Sequence, residues 1–278
     1  MKFKRYLVLL LWLAATTFLS AQSFRAMTYN LRFNNPRDGA DAWPLRKHWL
    51  AEQVLYTGPD ALGVQEALHD QVSFLDSALT GYAYVGVGRD DGAKAGEYAA
   101  LLYNTQTCKL LAHGTFWLSP TPEKPSKGWD AALNRVCTYA LLRHKGSRKK
   151  VWVFNAHFDH IGQQAREESM KLIRRKAAEI NTRNYPVVVM GDFNVEPDNP
   201  AMTTAREAWR DSWTSSETPA FGPEGTFNGF RFDQAVTRRI DYILVTPGTR
   251  VLKCAILSDS RNLRYPSDHF PVVADLKW

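Results

Sequence analysis

Apolar residues recur along the chain in two ways, as short runs or alternations typical of strands and at spacings of three and four typical of helices. Helical spacing predicts helices over Ala42–Tyr56, around Val72, Leu75 and Leu79, and from Met170 to about Asn184. The segment from His113 to Asn134 is rich in Pro, Trp and Ser and predicts a long loop. The strand pattern occurs over Phe24–Leu31, Asp60–Val64, Tyr98–Tyr103, Val136–Leu142, Val151–His157, Val187–Met190, Arg239–Val245 and Phe270–Leu276.

These segments follow one another from end to end without an internal repeat, a low-complexity tract or a linker. Such mixing of strands and helices favours a single α/β (α+β) domain. Because helices separate many of the strands, the pattern fits two packed β-sheets covered by helices better than a barrel.

The N-terminus has the layout of a secretory signal peptide. Lys2, Lys4 and Arg5 precede an apolar run from residue 6 to 18, and small residues surround position 21. The run is short for a membrane span, which needs ~20 residues. We therefore predict a signal peptide over 1–21, an exported (periplasmic or secreted) protein and one domain over 22–278. An uncleaved N-terminal anchor is the alternative.

Charge and cysteine usage exclude some classes of protein. The formal net charge is +7, of which residues 1–21 carry +3, leaving +4 for the rest of the chain. That balance favours anionic ligands only weakly and is far from that of a dedicated nucleic-acid binder. Cys108, Cys137 and Cys254 are too far apart for a zinc pattern or a disulfide framework. In an exported protein one pair could form a disulfide, or each could be a small buried side chain.

Carboxylates and amides stand at the ends of several predicted strands. The clearest case is the apolar run Val187–Met190, which ends at Gly191 and is followed by Asp192 and Asn194. An aspartate at such a place is costly to bury without a metal or a hydrogen-bond partner. Mg²⁺ and Mn²⁺ prefer this kind of oxygen donor. The set with this placement is Asn30, Glu66, Asp192, Asn194 and Asp268.

Two histidines stand beside the same kind of position. His157 ends a predicted strand, and His269 directly follows Asp268. Asp241 lies within a further strand, where it shares a face with Arg239. Taken singly, each such residue could be a turn cap, a surface ion pair or a buried core side chain. The same placement in five separate segments favours a common site.

These residues lie in blocks that resemble the endonuclease/exonuclease/phosphatase superfamily, which includes deoxyribonuclease I. The blocks occur in the family's order and span nearly all of residues 22–278. The resemblance implies a four-layer sandwich of two packed mixed β-sheets flanked by helices. It also implies Mg²⁺- or Mn²⁺-dependent hydrolysis of a phosphate mono- or diester by in-line attack of water. The blocks are Thr28-Tyr29-Asn30, Gln65-Glu66, Asn155-Ala156-His157, Gly191-Asp192-Phe193-Asn194, Arg239-Ile240-Asp241-Tyr242 and Ser267-Asp268-His269.

The resemblance implies a role for each oxygen-bearing residue of the blocks. Glu66 would be the main metal ligand, with Asn30 and Asp268 near the metal. Asp192 would orient or deprotonate the attacking water, and we expect it to stay ionised beside a metal and a cationic histidine. Asn194 would hold that water or a phosphate oxygen.

The histidines would act on the phosphate itself. His269, oriented and kept protonated by Asp241, would meet the growing negative charge. His157 would contact the phosphate or the leaving oxygen, and Asn155 would assist in binding substrate.

Four further residues are candidate substrate contacts. The stretch Phe158–Arg166 differs from the best-known nucleases and resembles exported bacterial members of the superfamily. Arg166 stands there at a predicted helix start, and arginine is well suited to a phosphate. Arg89, Arg135 and Trp129 are the others; each could equally pack in a loop or the core.

A small phosphorylated substrate is the favoured partner, because the chain has no dense basic run for a nucleic acid. A secreted nuclease and a sphingomyelinase-like phospholipase are alternatives, the latter needing an exposed apolar hairpin for which Thr115–Leu118 is the candidate. A non-catalytic binding protein on the same scaffold is a third. No obligate protein partner is evident, and we expect a monomer.

Overall fold

The computed structural model describes residues 23–278, in which twelve strands form two six-stranded sheets. The helices are α1 (Trp43–Thr57), α2 (His69–Ala78), α3 (Gln163–Ile180), α4 (Pro200–Arg206) and α5 (Ser212–Ser215), with a 3-10 helix over Pro36–Asp41. The strands are β1 (Phe24–Asn30), β2 (Ala61–Ala67), β3 (Tyr82–Val85), β4 (Tyr98–Asn104), β5 (Cys108–Trp117), β6 (Val136–His144), β7 (Lys150–His157), β8 (Val187–Asp192), β9 (Arg210–Asp211), β10 (Asp241–Val245), β11 (Arg250–Ile256) and β12 (Val272–Lys277).

The two sheets pack face to face and carry helices on their outer faces. The first has the order β11-β12-β1-β2-β4-β3 and the second β5-β6-β7-β8-β10-β9. Each is mixed, since β1 pairs with β2 and β7 with β8 in parallel while the other neighbours are antiparallel. One buried apolar cluster lies between the sheets, a second under α1 and α2, and a third under α3 and α4. The predicted four-layer fold is confirmed.

The continuous apolar run in β8 follows from burial on both faces of its sheet. Val188 and Met190 belong to the cluster between the sheets, whereas Val187 and Val189 belong to the cluster under α3 and α4. A strand covered on both faces needs apolar residues at every position rather than at alternate ones. The same strand ends beside β7 and β10, where Asp192 pairs with His157 on one side and with Asp241 on the other.

The predicted loop His113–Asn134 is wrong at its start. Residues 113–117 lie in β5, an edge strand whose middle is largely exposed, so its sequence lacks the apolar alternation that identifies a strand. Phe116 and Trp117 are buried, so Thr115–Leu118 is not the exposed apolar hairpin that the phospholipase alternative would need. β3, β9 and β11 were not predicted.

Two other predictions concern the chain as a whole. Cys108, Cys137 and Cys254 are all buried and unpaired, as the small-side-chain interpretation expects. The predicted signal peptide lies outside the described residues. Within residues 23–278, no helix is both long and apolar enough to cross a membrane.

Candidate active site

A cavity of about 430 Å³ opens at the edge of the sandwich where β1, β2, β7 and β8 end and β10 begins. The residues lining it come from segments far apart in the chain. Those predicted from the sequence are Glu66, Arg135, His157, Asp192, Asn194, Asp268 and His269. Asn30 and Asp241 stand behind this lining and hold it in place through hydrogen bonds.

Asn30 joins two carboxylates at the floor of the cavity. Its Nδ2 donates to Glu66 Oε1 at 3.0 Å and to Asp192 Oδ2 at 2.9 Å. Its Oδ1 accepts the backbone N–H of Arg32 at 2.9 Å, which fixes the orientation of the amide. Asn30 therefore presents its nitrogen to the carboxylates and positions them, instead of offering its oxygen as a metal ligand.

Glu66 reaches the cavity through an irregularity in β2. The pairing of β2 with β4 shifts register between Val64 and Ala67, and Glu66 has a φ of 60°. A bulge of this kind redirects a side chain near the end of a strand. A left-handed conformation is uncommon for a residue other than glycine, and at a binding site it often reflects function. Glu66 Oε2 also accepts the backbone N–H of Phe33 at 3.2 Å.

Gly191 allows Asp192 to enter the cavity from β8. Its φ is 147°, and a Cβ at this position would lie 1.9 Å from the carbonyl oxygen of Ala156 in β7. Only glycine tolerates this close approach of the two backbones. Two residues later, Asn194 adopts a φ of 51° and donates its backbone N–H to Asp192 Oδ1 at 2.9 Å.

His269 forms a buried ion pair with Asp241. Its Nδ1 lies 2.9 Å from Asp241 Oδ2, and its Nε2 faces the cavity 3.8 Å from Asp192 Oδ2. Burial alone would lower the pKa of His269, but Asp241 and the neighbouring carboxylates raise this pKa to about 10. His269 is therefore a protonated donor at neutral pH. Asp241 does not pair with Arg239, whose guanidinium contacts Asp211 at 2.7 Å.

The carboxylates at the cavity floor are crowded and poorly solvated. Burial, with a contribution from Asp241, raises the pKa of Asp192 to about 7, and burial together with Glu66 raises that of Asp268 to about 6. The sequence led us to expect an ionised Asp192; without a cation, burial opposes that state. Hard oxygen donors converge there, and such donors suit a divalent cation.

Within residues 23–278, two groups of three His, Asp or Glu side chains have ligand atoms within 4.8 Å of one another. One consists of Asp192, Asp241 and His269, and the ion pair already explains it. The other consists of Glu66, His157 and Asp192. In the second group Glu66 and Asp192 offer oxygen ligands, and together with Asp268 in the same cavity these carboxylates fit a divalent cation.

His157 is kept in its neutral form by Arg135, which also lines the cavity. Arg135 Nη1 donates to its Nδ1 at 3.0 Å, so this nitrogen carries no proton. Burial, aided by Arg135, lowers the pKa of His157 well below its usual range. Its Nε2 lies 3.6 Å from Asp192 Oδ2 and 3.1 Å from Asn194 Nδ2. Arg135 also contacts Asp159 at 3.3 Å, which anchors its guanidinium.

Four residues predicted to bind substrate do not line the cavity. Asn155 lies between the two sheets and is fully buried. Arg89 stands behind Glu97, to which it makes hydrogen bonds of 2.6 and 2.9 Å. Arg166 donates to the carbonyl of Asp159 and to a neighbouring glutamine. Trp129 packs beside the cluster under α3 and α4.

The cavity also contains residues to which the sequence prediction assigned no role. Arg32 follows Asn30 by two positions, so the strand-end pattern that identified Asn30 would have found it. Phe227 packs its ring against His269 with centroids 5.1 Å apart, and the guanidinium of Arg238 lies 5.3 Å from that ring. His160 accepts from Arg135 at 3.0 Å. Arg238 and His160 lie in loops, where no periodic pattern marks them.

Comparison with known proteins gives one family. A model of the Endonuclease/Exonuclease/phosphatase family matches residues 27–269. Mannosyl-6-phosphatase Bt3783 of Bacteroides thetaiotaomicron VPI-5482 is 38% identical, with a TM-score of 0.88 over 92% of this chain and 100% of that chain. The catalytic domain of human Nocturnin is similar in fold, with 20% identity and a TM-score of 0.72 over 92% and 93% of the two chains.

Among curated proteins, uncharacterized protein L388 of Acanthamoeba polyphaga mimivirus is 27% identical over 164 residues, which cover 55% of this chain and 60% of that protein. The chain spans between 39% and 60% of the length of the curated relatives that it matches.

Proposed function

Because the chain belongs to the Endonuclease/Exonuclease/phosphatase family, we propose that it is a divalent-metal-dependent phosphoesterase. The observation that carries this proposal is the meeting of a carboxylate cluster and a protonated histidine in one cavity. Glu66 and Asp192 are held together by Asn30, and His269 faces Asp192 at 3.8 Å. Hydrolysis of a phosphate ester needs this combination, because an anionic phosphorus centre must be attacked by an oxygen nucleophile.

Glu66, Asp192 and Asp268 are the residues that would hold Mg²⁺ or Mn²⁺. When bound, such a cation neutralises charge on the phosphate oxygens and stabilises the leaving oxygen. Asp192 orients the attacking water and accepts its proton, a role that suits a carboxylate held in place by hydrogen bonds from Asn30 and Asn194. Asn194 fixes Asp192 through its backbone N–H.

The two histidines have different tasks because their charges differ. His269 is protonated through Asp241 and donates from Nε2 to a phosphate oxygen as negative charge develops there. His157 is neutral, with its Nδ1 occupied by Arg135, and offers only its Nε2 to the phosphate or the leaving oxygen. In the proposed mechanism His269 stabilises charge and His157 positions the substrate.

We propose a small phosphorylated metabolite, and in particular a phosphorylated sugar, as the substrate. A cavity of about 430 Å³ is within the range of small-molecule sites. The name of the 38% identical protein, mannosyl-6-phosphatase, supports this class of substrate. Burial of Phe116 and Trp117 removes the apolar hairpin that a phospholipase would need.

Hydrolysis assays on the purified protein test this function. We expect hydrolysis of mannose 6-phosphate and p-nitrophenyl phosphate, its loss in chelator and its recovery with Mg²⁺ or Mn²⁺. Asp192→Ala should lower the rate by ~10²–10⁴-fold. Asp233→Ala, which removes a carboxylate with a 73% exposed side chain, is the matched control and should leave the rate unchanged.

The same panel decides between substrates. DNA, RNA, sphingomyelin and bis-p-nitrophenyl phosphate are assayed beside the sugar phosphate, and faster turnover of any of them would replace the proposed substrate. Undiminished hydrolysis in chelator or in Asp192→Ala would refute the proposed chemistry. Failure to hydrolyse any phosphoester would favour a binding protein on this scaffold.

We also propose that the protein is exported, as a member of the exported bacterial branch. The proposal rests on the basic start, the apolar run and the small residues near position 21. The N-terminus of the mature protein, determined by mass spectrometry from culture fractions, should be Gln22. An intact Met1 on a cytoplasmic protein would contradict it.

A further inference from the structure

We propose that a second cavity, formed by helix α1 and the segment that follows β11, binds a neutral, hydroxyl-rich ligand, namely an oligosaccharide. The cavity has a volume of about 520 Å³, larger than that of the candidate active site, and the two share no lining residue. Its walls carry the α1 side chains Trp49, Gln53 and Tyr56 on one side and Asp259 and Arg261 on the other. We name this feature the α1 cavity.

An unpartnered buried acceptor points to a ligand in the α1 cavity. Gln53 is only 8% exposed, and its Nε2 donates to Asp259 Oδ2 at 3.0 Å. Its Oε1 is buried and has no hydrogen-bond partner among residues 23–278. Turning the amide over would place its oxygen against the Asp259 carboxylate, so the orientation is fixed. A buried acceptor without a donor is costly, and a ligand hydroxyl would satisfy it.

The charges around the α1 cavity favour a neutral ligand over an anionic one. Glu52 and Arg261 neutralise each other across 2.9 Å. Asp259 remains as the further carboxylate of the lining, so the surface is slightly negative. Phosphate groups and nucleic acids would be repelled, whereas hydroxyl groups would donate to Asp259 and Gln53. Carboxylate and amide acceptors side by side therefore favour a neutral donor-rich molecule.

Aromatic side chains supply the apolar part of the recognition surface. Tyr56 is 94% exposed, an unusual loss of apolar burial for a tyrosine on a helix that packs on the core. Trp49 lines the cavity with Arg261 5.2 Å from its ring. The C–H faces of a sugar ring cover aromatic surface while its hydroxyls reach polar groups, so a saccharide suits both features at once.

The α1 cavity continues toward the candidate active site. A smaller cavity of about 290 Å³ shares Trp49 and Arg261 with it and extends to Arg264 and Tyr265. Tyr265 precedes Asp268 by three positions. An oligosaccharide of several units would therefore lie along α1 with one end directed to the loop that carries Asp268. This inference does not depend on the phosphoesterase chemistry.

Isothermal titration calorimetry in chelator tests the inference. Unphosphorylated mannotriose is titrated into the full protein, with cellotriose and maltotriose as comparison saccharides. We expect saturable binding of at least one of them with a dissociation constant near or below 1 mM, which is ~1000-fold tighter than the 1 M reference state. Tyr56→Ala and Gln53→Met should each weaken that binding by ~10-fold. Tyr56 is exposed, so its replacement does not endanger folding.

Phe221→Ala is the matched control, since it removes another exposed aromatic ring, 75% exposed, that does not line the α1 cavity. It should leave binding unchanged, and all three variants should hydrolyse p-nitrophenyl phosphate at the wild-type rate. Absence of binding for every saccharide at 10 mM or more, about tenfold above the expected constant, would overturn the inference. So would binding that survives both variants, or binding lost in Asp192→Asn instead, which would place the sugar in the candidate active site. Sugar binding without any hydrolysis would refute the proposed function and leave this inference standing.

Discussion

Replacing Asn155 by alanine separates a structural role from a substrate-binding one. Its strand-end block suggested a substrate contact, but its side chain lies between the sheets. Asn155 Nδ2 donates to the carbonyls of Val64 and Ala100 at 2.9 and 2.8 Å, and its Oδ1 accepts from Gln65 Nε2 at 2.6 Å. One amide on β7 thus joins the second sheet to two strands of the first, directly below the cavity that holds the carboxylates.

The expected cost follows from what the truncation leaves unpaired. Two buried carbonyls would lose their side-chain donor, while Gln65 Nε2 would keep its bond to Thr28 Oγ1 at 3.0 Å. A buried group left unsatisfied costs about 1–3 kcal/mol, so the loss at two carbonyls in Asn155→Ala should lower the free energy of unfolding by about 2–6 kcal/mol. For a domain of this size that corresponds to a fall in Tm of ~10 °C. The Michaelis constant should change little.

A double-mutant cycle with Gly63 sharpens this test. A Cβ on Gly63 would lie 2.6 Å from Asn155 Oδ1 and 2.7 Å from its Cγ. Gly63→Ala alone should therefore destabilise the protein by about 1–3 kcal/mol, because the amide has no room to move. In the Asn155→Ala background the added methyl group enters vacated space, so the double variant should be more stable than the sum of the single changes predicts.

Urea unfolding and steady-state kinetics on the same samples decide the outcome. The structural role requires a lower unfolding midpoint, an unchanged slope and a nearly unchanged Michaelis constant at a temperature where the variant is folded. A variant with wild-type stability and a Michaelis constant raised by tenfold or more would refute the reasoning. It would indicate that Asn155 contacts the substrate. Strict additivity with Gly63→Ala would show that the two side chains do not compete for space.

Three further predictions concern the cavity itself. Asp241→Asn should leave the fold intact but lower the turnover rate by ~10²–10⁴-fold, measured on p-nitrophenyl phosphate, because His269 loses the carboxylate that keeps it protonated. In chelator, Asp192→Asn should raise the Tm of a thermal melt at pH 8 and leave it unchanged at pH 4. The folded protein raises the pKa of Asp192 to about 7, so folding favours the protonated carboxyl group. The stability associated with that protonated form is lost as pH rises through the folded-state pKa. Gly191→Ala should abolish recovery of folded protein by circular dichroism, since its Cβ would lie 1.9 Å from a backbone oxygen. Gly248→Ala should remain folded, since Gly248 also has a positive φ, of 93°, and a Cβ there would meet no non-neighbouring atom of residues 23–278 within 4 Å.

Strands could be predicted from the sequence where burial requires apolar residues in a regular pattern, and could not be predicted where their side chains are exposed. β8 is covered on both faces, so Val187–Met190 stands out as an apolar run. β5 is an edge strand with a largely exposed middle, and the same backbone geometry leaves no apolar signal there. The short β3 is only partly buried along most of its length. Edge strands are weakly encoded in sequence because few of their side chains must be apolar.

The candidate site shows a second limit, since strand ends identify which residues can meet but not which way each one faces. Asp192 and Asn155 both lie near the ends of neighbouring parallel strands, and only Asp192 reaches the cavity. Two positions separate Asn155 from the end of β7, so the same face of the strand that carries His157 into the cavity carries Asn155 into the space between the sheets. There an apolar residue would be expected, and an amide is tolerated only because Val64, Ala100 and Gln65 supply its partners from the other sheet. Those partners depend on how the two sheets pack, which is a property of the whole fold that no local pattern in β7 records.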